Sequence, residues 1–429
     1  MRYLVTCLIF LSGLSLFSQN YSDRKINRIL SKIEALNKAH VAISIRSLES
    51  SKPIVSYQAD QYMTPASNTK LLTFLASVES FDSLPALYYH DKDSITHFKS
   101  TGYPLLLHPF YPDEELYSFL KGKNYLVYHK PKSNLKPQGP GWSWDDYSYY
   151  FASEISPFPI YGNVIQGFGG SNDPSFFPGR FETLPASDSS AENLKRKRFK
   201  NRFHYNSEKW NIKDTLFQPF ITSDDLFVNL LSDNLNLPVS LLSQSKRSEW
   251  ELLYTHKERK LYKALLQDSD NGIAESLLVM ISQKRFGQKD IERTIETLKF
   301  QWRNWLPDPL EWVDGSGVSR YNMVTPRTLV AVLKKIHAKA GFQNIKNYFP
   351  SGFIKGTRSV ALKKYDLKNI YGKTGTLRHN HNLSGYLVSS EENIYVFSVM
   401  VNHHTSSKSE VCLLYTSPSP RDKRQSRMP

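Results

Sequence analysis

Cysteine is nearly missing from this 429-residue chain, with only Cys7 and Cys412 present. Cys7 falls in a leader expected to be removed, which leaves Cys412 alone. A disulfide-stapled scaffold is therefore excluded, and stability has to come from a core. Long apolar runs are also missing. The longest, residues 3–17, is shorter than the ~20 residues a membrane-spanning helix needs. With Arg2 ahead of it and Ser18 before Gln19, it reads as a cleavable export signal over residues 1–18. Acidic residues are scarce: 40 Asp and Glu face 55 Lys and Arg, for a formal net charge of +15. Arg2 and the last segment account for four of these charges, so the body carries about +11. Such a surface suits peripheral association with anionic envelope polymers, and equally an ordinary basic exterior. Nucleic-acid modules are missing too, because the run Lys195-Arg196-Lys197-Arg198 has no finger, helix-turn-helix or RNP pattern around it. The expectation is an exported protein of the periplasm or another extracytoplasmic space, without a nucleic-acid partner.

At 40% hydrophobic residues the chain can build a sizeable core, and its length suggests two or three domains. Residues 22–38 place Ile26, Ile29, Leu30, Ile33 and Leu36 at helical spacing, with Ser22 as N-cap. Strand-like runs follow at 41–45 and 54–57. Pro65 and Ala66 then lead into an apolar helical run over 70–76. From 86 to 255 the composition turns to Tyr, Phe, Pro, Ser and Asn with turn clusters, which predicts a β-rich insertion. Helical patterning resumes over 257–266 and 273–281. Strands are predicted at 370–373, 383–388 and 394–401, the last two forming a hairpin. After Val411 the chain has no helical or strand period and two close prolines, so 412–429 reads as disordered. That string resembles translated sequencing-adapter or vector sequence; resequencing of the locus decides this, and the same tail in the genomic reading frame would reject it.

Three ordered strings carry the chemistry: Ser67-Asn68-Thr69-Lys70, Ser269-Asp270-Asn271 and Lys373-Thr374-Gly375. A serine hydroxyl needs a base within hydrogen-bond reach. On a helix, positions i and i+3 share a face, so Lys70 can serve Ser67 provided that it is held neutral part of the time. Lys373 is the second cation available to help. The same spacing at Ser22/Lys25, Ser133/Lys136 and Ser243/Lys246 lacks the small residues before and the apolar helix after. Ser-Asp-Asn also recurs at 232–234, where it reads as a helix end. The copy at 269–271 precedes a helix start, from which Ser269 can relay a proton and Asn271 bind a substrate amide. Lys373, Thr374, Gly375 and Thr376 sit on a strand edge, where a peptide can add as an extra strand with its terminal carboxylate on Lys373 and Thr374. Gly375 is expected to admit the substrate backbone. The N–H groups of Ser67 and Thr376 are expected to form an oxyanion hole.

This triple is the one found in class A β-lactamases and penicillin-binding proteins. Four longer strings extend the match: Pro65-Ala66-Ser67-Asn68-Thr69-Lys70, Ser269-Asp270-Asn271 with Ala274-Glu275, Asp314-Gly315-Ser316-Gly317-Val318-Ser319-Arg320-Tyr321-Asn322, and Gly372-Lys373-Thr374-Gly375-Thr376-Leu377. With these, residues 22–411 resemble the class C low-molecular-mass penicillin-binding proteins, the D-alanyl-D-alanine carboxypeptidase/endopeptidase family. The resemblance implies an α+β, β-lactamase/transpeptidase-like catalytic domain, an antiparallel sheet flanked by helices, over 19–85 and 256–411. Residues 86–255 would be inserted, a short insertion for the family. It also implies that Asp146, in Gly139-Pro140-Gly141-Trp142-Ser143-Trp144-Asp145-Asp146, meets the ammonium of a diaminopimelate side chain. Phe151 would line the same pocket and Arg320 pair with the diaminopimelate carboxylate. On residue type alone, Asp146 is equally a structural turn aspartate and Arg320 a surface ion-pair partner. The family's C-terminal helix would be lost in the unusual tail.

The expected function is a serine-type D-Ala-D-Ala carboxypeptidase, able also to act as a D,D-endopeptidase, working on peptidoglycan stem peptides through a Ser67 acyl-enzyme. β-Lactams are the expected acylating inhibitors, and no metal or cofactor is called for. The alternatives are a β-lactamase or esterase of the same fold, and a catalytically silent peptidoglycan-binding protein.

Overall fold

The computed structural model describes residues 22–169, 174–186, 194–206, 210, 215–243, 249–351, 370–389, 391–406 and 411. The predicted leader and the segment 412–429 lie outside the described residues. The chain divides into two compact units. The first takes Met1–Glu79, Leu266–Ser269 and Thr297–Pro429, and the second takes Ser80–Leu265 and Asp270–Glu296.

In the first unit, helix α1 (Asp23–Leu30) precedes strands β1 (His40–Ser47) and β2 (Pro53–Tyr57). Helix α2 (Lys70–Ser80) follows. Helix α3 (Pro326–Ala340) and strands β3 (Ile370–Leu377), β4 (Asn380–Val388) and β5 (Ile394–Asn402) complete it. The strands form one antiparallel sheet in the order β3-β4-β5-β1-β2, so that an early and a late strand of the sequence meet where β1 pairs with β5. Ile26, Leu30, Ile33 and Leu36 pack with Val41, Ile43, Ile45, Leu383, Leu387, Phe397, Val399, Val401 and Val411 in one buried cluster. Each fully buried large aliphatic side chain is worth ~1.5–3 kcal/mol, so this cluster holds α1 to the sheet. Helix α3 packs on β1, β4 and β5. It starts at an N-cap, Thr325, whose side chain accepts from Thr328 N, with Pro326 in the first turn where its missing N–H is harmless. The predicted helix over 22–38 is shorter than expected. It ends at Leu30 and resumes as a 3₁₀ turn, Glu34–Leu36, and Ser22 occupies the cap position without a side-chain cap bond.

The second unit contains a five-stranded mixed sheet in the order Val239–Leu242, Tyr125–His129, Ile95–Ser100, Pro85–Lys92, Glu251–Tyr254, and two three-stranded sheets. It is not purely β. Helix Glu114–Lys121 is capped by Asp113, and helix Asp224–Leu235 by Ser223. The helical patterning at 257–266 becomes helix Glu258–Lys263 followed by a wider π turn, Ala264–Asp268. Asn271–Phe286 is a buried helix capped by Asp270, whose Oδ1 accepts from Ile273 N at 2.9 Å. The second Ser-Asp-Asn string lies in the last turns of Asp224–Leu235, where Ser232 Oγ donates to Leu237 O at 2.6 Å. Its hydroxyl closes a helix end.

Candidate active site

The 3₁₀ turn Ala66–Thr69 runs directly into α2, which puts Ser67 and Lys70 one turn apart. Ala66 takes a left-handed φ of 50°, a conformation that non-glycine residues avoid, and the strained turn leaves Ser67 half-buried at the start of the helix. Lys70 is fully buried, and its Nζ stands 3.2 Å from Ser67 Oγ and donates to Ser316 O at 2.7 Å. Thr73 Oγ1, one turn further on, donates to Gly315 O at 2.6 Å.

The carbonyls of Gly315 and Ser316 are presented by a loop built around one buried carboxylate. Asp314 Oδ1 accepts from Gly317 N at 2.8 Å and from Asn322 Nδ2 at 2.7 Å, while Oδ2 accepts from Ser319 N at 2.7 Å. Asn322 Oδ1 in turn accepts from Val313 N at 2.9 Å. Gly317, at φ 81°, lies directly against Ala66, so that an added Cβ would collide with the Ala66 carbonyl. The string from Asp314 to Asn322 therefore braces the nucleophile turn and supplies Lys70 with an acceptor. Its Arg320 is exposed.

The other two strings of the triple meet in a second hydroxyl–lysine pair. Lys373 is fully buried on β3, the outer strand of the sheet, and its Nζ donates to Ser269 Oγ at 2.8 Å and to Thr374 O at 3.0 Å. Ser269 also adopts a left-handed φ, 62°. Gly375 also makes a close contact within the protein itself. A Cβ there would collide with the Pro65 carbonyl and stand 3.0 Å from Asn68 N and 3.2 Å from Ser67 N. The backbone that approaches Gly375 is thus the protein's own turn before Ser67. Thr376 is exposed, with Oγ1 2.9 Å from His381 Nδ1 on β4.

The remaining expected residues lie in the second unit. Asn271 Nδ2 donates to Phe151 O at 2.7 Å, which joins the third residue of the middle string to the inserted segment. Phe151 stacks on Tyr149 with centroids 5.4 Å apart. Asp146 is half-buried in the 3₁₀ turn Trp144–Ser148, with its N–H on Ser143 O at 3.1 Å. Sequence reasoning missed Ser316 as acceptor for Lys70, and it missed His381 and its neighbour Asn382, whose Nδ2 donates to Pro65 O at 3.0 Å. The only available signal for the last two was a pair of polar residues inside a strand otherwise suited to burial.

Helices flanking an antiparallel sheet, with two serine–lysine pairs at a helix start and an edge strand, place the molecule among the penicillin-recognising serine peptidases. The model of the D-Ala-D-Ala carboxypeptidase 3 (S13) family matches residues 22–84 and 206–412, and the chain belongs to that family, whose members are serine peptidases. It is similar to D-alanyl-D-alanine carboxypeptidase DacB of Haemophilus influenzae, at 22% identity over 92% of both chains. A segment of 107 residues is 26% identical to penicillin-sensitive carboxypeptidase A of Dictyostelium discoideum, covering 23% of this chain and 20% of that protein. Among solved structures, penicillin binding protein 4 of Haemophilus influenzae has the same fold, with a TM-score of 0.72 at 18% identity over 95% of this chain and 99% of the other. The same protein complexed with a novel β-lactam gives 0.66 at 17% identity, over 92% and 98%.

Proposed function

We propose that this D-Ala-D-Ala carboxypeptidase uses Ser67 as nucleophile and Lys70 as its base. The observation that carries the reading is the position of Lys70 Nζ, fully buried between Ser67 Oγ and the Ser316 carbonyl. A lysine accepts a proton only as the neutral amine, and burial works in that direction by stripping water from the ammonium. Ser67 Oγ attacks the carbonyl carbon of the penultimate D-alanine while Lys70 takes the hydroxyl proton. The oxyanion sits on the N–H groups of Ser67 and Thr376. Ser269, held by Lys373, relays that proton from Lys70 to the departing amine, so both groups regain their starting state, and terminal D-alanine leaves. Water then cleaves the ester and restores Ser67. Lys373 and Thr374 take the terminal carboxylate, and Asn271 a substrate amide.

The substrate is the peptidoglycan stem peptide, and cleavage of a D-Ala–diaminopimelate cross-bridge follows from the same chemistry. By resemblance, Asp146 and Phe151 receive the ammonium end of diaminopimelate and Arg320 its carboxylate. β-Lactams acylate Ser67 by the same attack, and the β-lactam complex of the Haemophilus influenzae protein supports β-lactam binding. An extracytoplasmic location with peripheral attachment to the envelope fits the apolar leader and the basic charge. A catalytic domain over 19–85 and 256–411 with an insertion at 86–255 is supported at its first boundary by the family match, which breaks at 84; the match resumes at 206, before the end proposed for the insertion.

Release of D-alanine from a diaminopimelate-containing pentapeptide tests the reading. Wild-type protein should release it, and Ser67→Ala should not. Release that persists in Ser67→Ala would reject Ser67 as nucleophile, and rapid turnover of penicillin without D-alanine release would mark a β-lactamase.

A further inference from the structure

Two adjacent residues of β4 touch both sides of the proposed oxyanion hole. Asn382 is fully buried, and its Nδ2 donates to Thr64 O at 2.9 Å and to Pro65 O at 3.0 Å, the carbonyls leading into the Ser67 turn. Its Oδ1 accepts from Asn402 Nδ2 at 3.1 Å, and Asn402 Oδ1 accepts from Thr64 N at 2.6 Å. Pro65 O also accepts from Asn68 N at 3.1 Å, so the turn is fixed through a saturated carbonyl. One residue earlier, His381 is buried and pairs across the strands with Thr376, its Nδ1 2.9 Å from Thr376 Oγ1. Thr376 is otherwise exposed on the outer strand, where, among the described residues, its peptide unit has no partner strand on one side.

We infer that His381 is a positioning residue for the acyl transfer. By anchoring the Thr376 side chain it fixes the Gly375–Thr376 peptide plane, while Asn382 fixes the Ser67 turn from the same strand. The two oxyanion donors thereby keep one spacing, which matters because such donors act through pre-set geometry and not through substrate affinity. The inference rests on the Ser67 and Thr376 roles proposed above and adds what holds them in register.

The test is stopped-flow acylation by a chromogenic cephalosporin, which separates the rate of covalent step from the dissociation constant of the preceding complex. His381→Phe should slow the covalent step about tenfold, less than the 10²–10³ of deleting a donor outright, with the dissociation constant within about twofold. His381→Gln, which can still hydrogen-bond Thr376, should recover to within about threefold of wild type. In a Thr376→Val background, His381→Phe should add nothing, because the hydroxyl through which it acts is gone. Rates are expressed per titrated folded site, so a merely structural effect would lower the site count and leave the rates alone. A covalent step in His381→Phe within twofold of wild type overturns the inference while leaving Ser67 in place. A wild-type protein that forms no adduct at Ser67 overturns the catalytic reading and the inference with it.

Discussion

Gly317 supports Ala66 from below, with no room for a side chain between the glycine Cα and the Ala66 carbonyl. Because Ala66 is the left-handed residue immediately before Ser67, this contact links the loop of Asp314 to the nucleophile turn. Gly317→Ala therefore has to push the turn away from Lys70 as well as strain a φ of 81°. The expected loss is more than about 3 kcal/mol, with slower acylation of the protein that remains folded. Gly287 is the control. Its φ is 65° and nothing lies within 4 Å of an added Cβ, so Gly287→Ala should cost only ~1–2 kcal/mol. Urea unfolding of the two variants measures the difference; equal losses would mean that the Ala66 contact is unimportant.

Asp314→Asn tests the loop electrostatically. Donors from Gly317, Asn322, Ser319 and the Ser316 hydroxyl converge on the carboxylate, and an amide in its place would turn an NH₂ group toward at least one of them. Each mismatched buried donor costs ~1–3 kcal/mol, so a total of about 2–4 kcal/mol is expected. Acylation should slow as well, because the Ser316 carbonyl that meets Lys70 is carried by this loop. Thermal unfolding and cephalosporin acylation report the two effects separately.

Lys289 gives a pH dependence remote from the chemistry. It is fully buried, its Nζ donates to Ser100 O at 2.9 Å and Gln283 Oε1 at 3.2 Å, and desolvation, with a smaller contribution from Lys99, lowers its pKa to about 7. In the unfolded chain the side chain titrates near ~10.4. Between these values the unfolded state binds more protons, so this residue makes stability rise with pH from about 7 to about 10. Below pH 7 the full cost of burying the ammonium is present. Lys289→Met should gain most over wild type at pH 6 and progressively less toward pH 9. Urea midpoints across that range check it; a difference that does not change with pH would refute the buried charge.

Lys70→Met keeps the length of the side chain but has no amine. Acylation should fall by at least about 10²-fold, in line with loss of a general base, while the fold tolerates an apolar residue in a fully buried position. Lys70→Arg should be no better, since a guanidinium stays protonated. Near-normal acylation in Lys70→Met would move the base elsewhere.

The ordered strings were legible because their chemistry is local: Ser67 and Lys70 are one turn apart, and Asp270 caps the helix that follows Ser269. Strand assignments held for the same reason, with β4 and β5 forming the hairpin their spacing implied. The helix over 22–38 was overextended because Ile33 and Leu36 remain buried beside Leu30 even though the backbone has left the helix. Apolar periodicity reports burial, and burial continues past the helix end. Ser316, His381 and Asn382 were illegible because their partners are set by folding: Asn382 holds Pro65 from 317 positions away. Gly375 was read as room for substrate. Its contact with Pro65 on the Cβ side was not legible, because only the paired strand and turn create it.

The central claim is that Ser67 forms the covalent intermediate with Lys70 as its base. Intact-mass measurement after penicillin treatment, followed by peptide mapping, tests it most directly. The account predicts one added penicilloyl group on the peptide containing Ser67, absent in Ser67→Ala and strongly slowed in Lys70→Met. An adduct mapped to another serine, or undiminished labelling of Ser67→Ala, would contradict it.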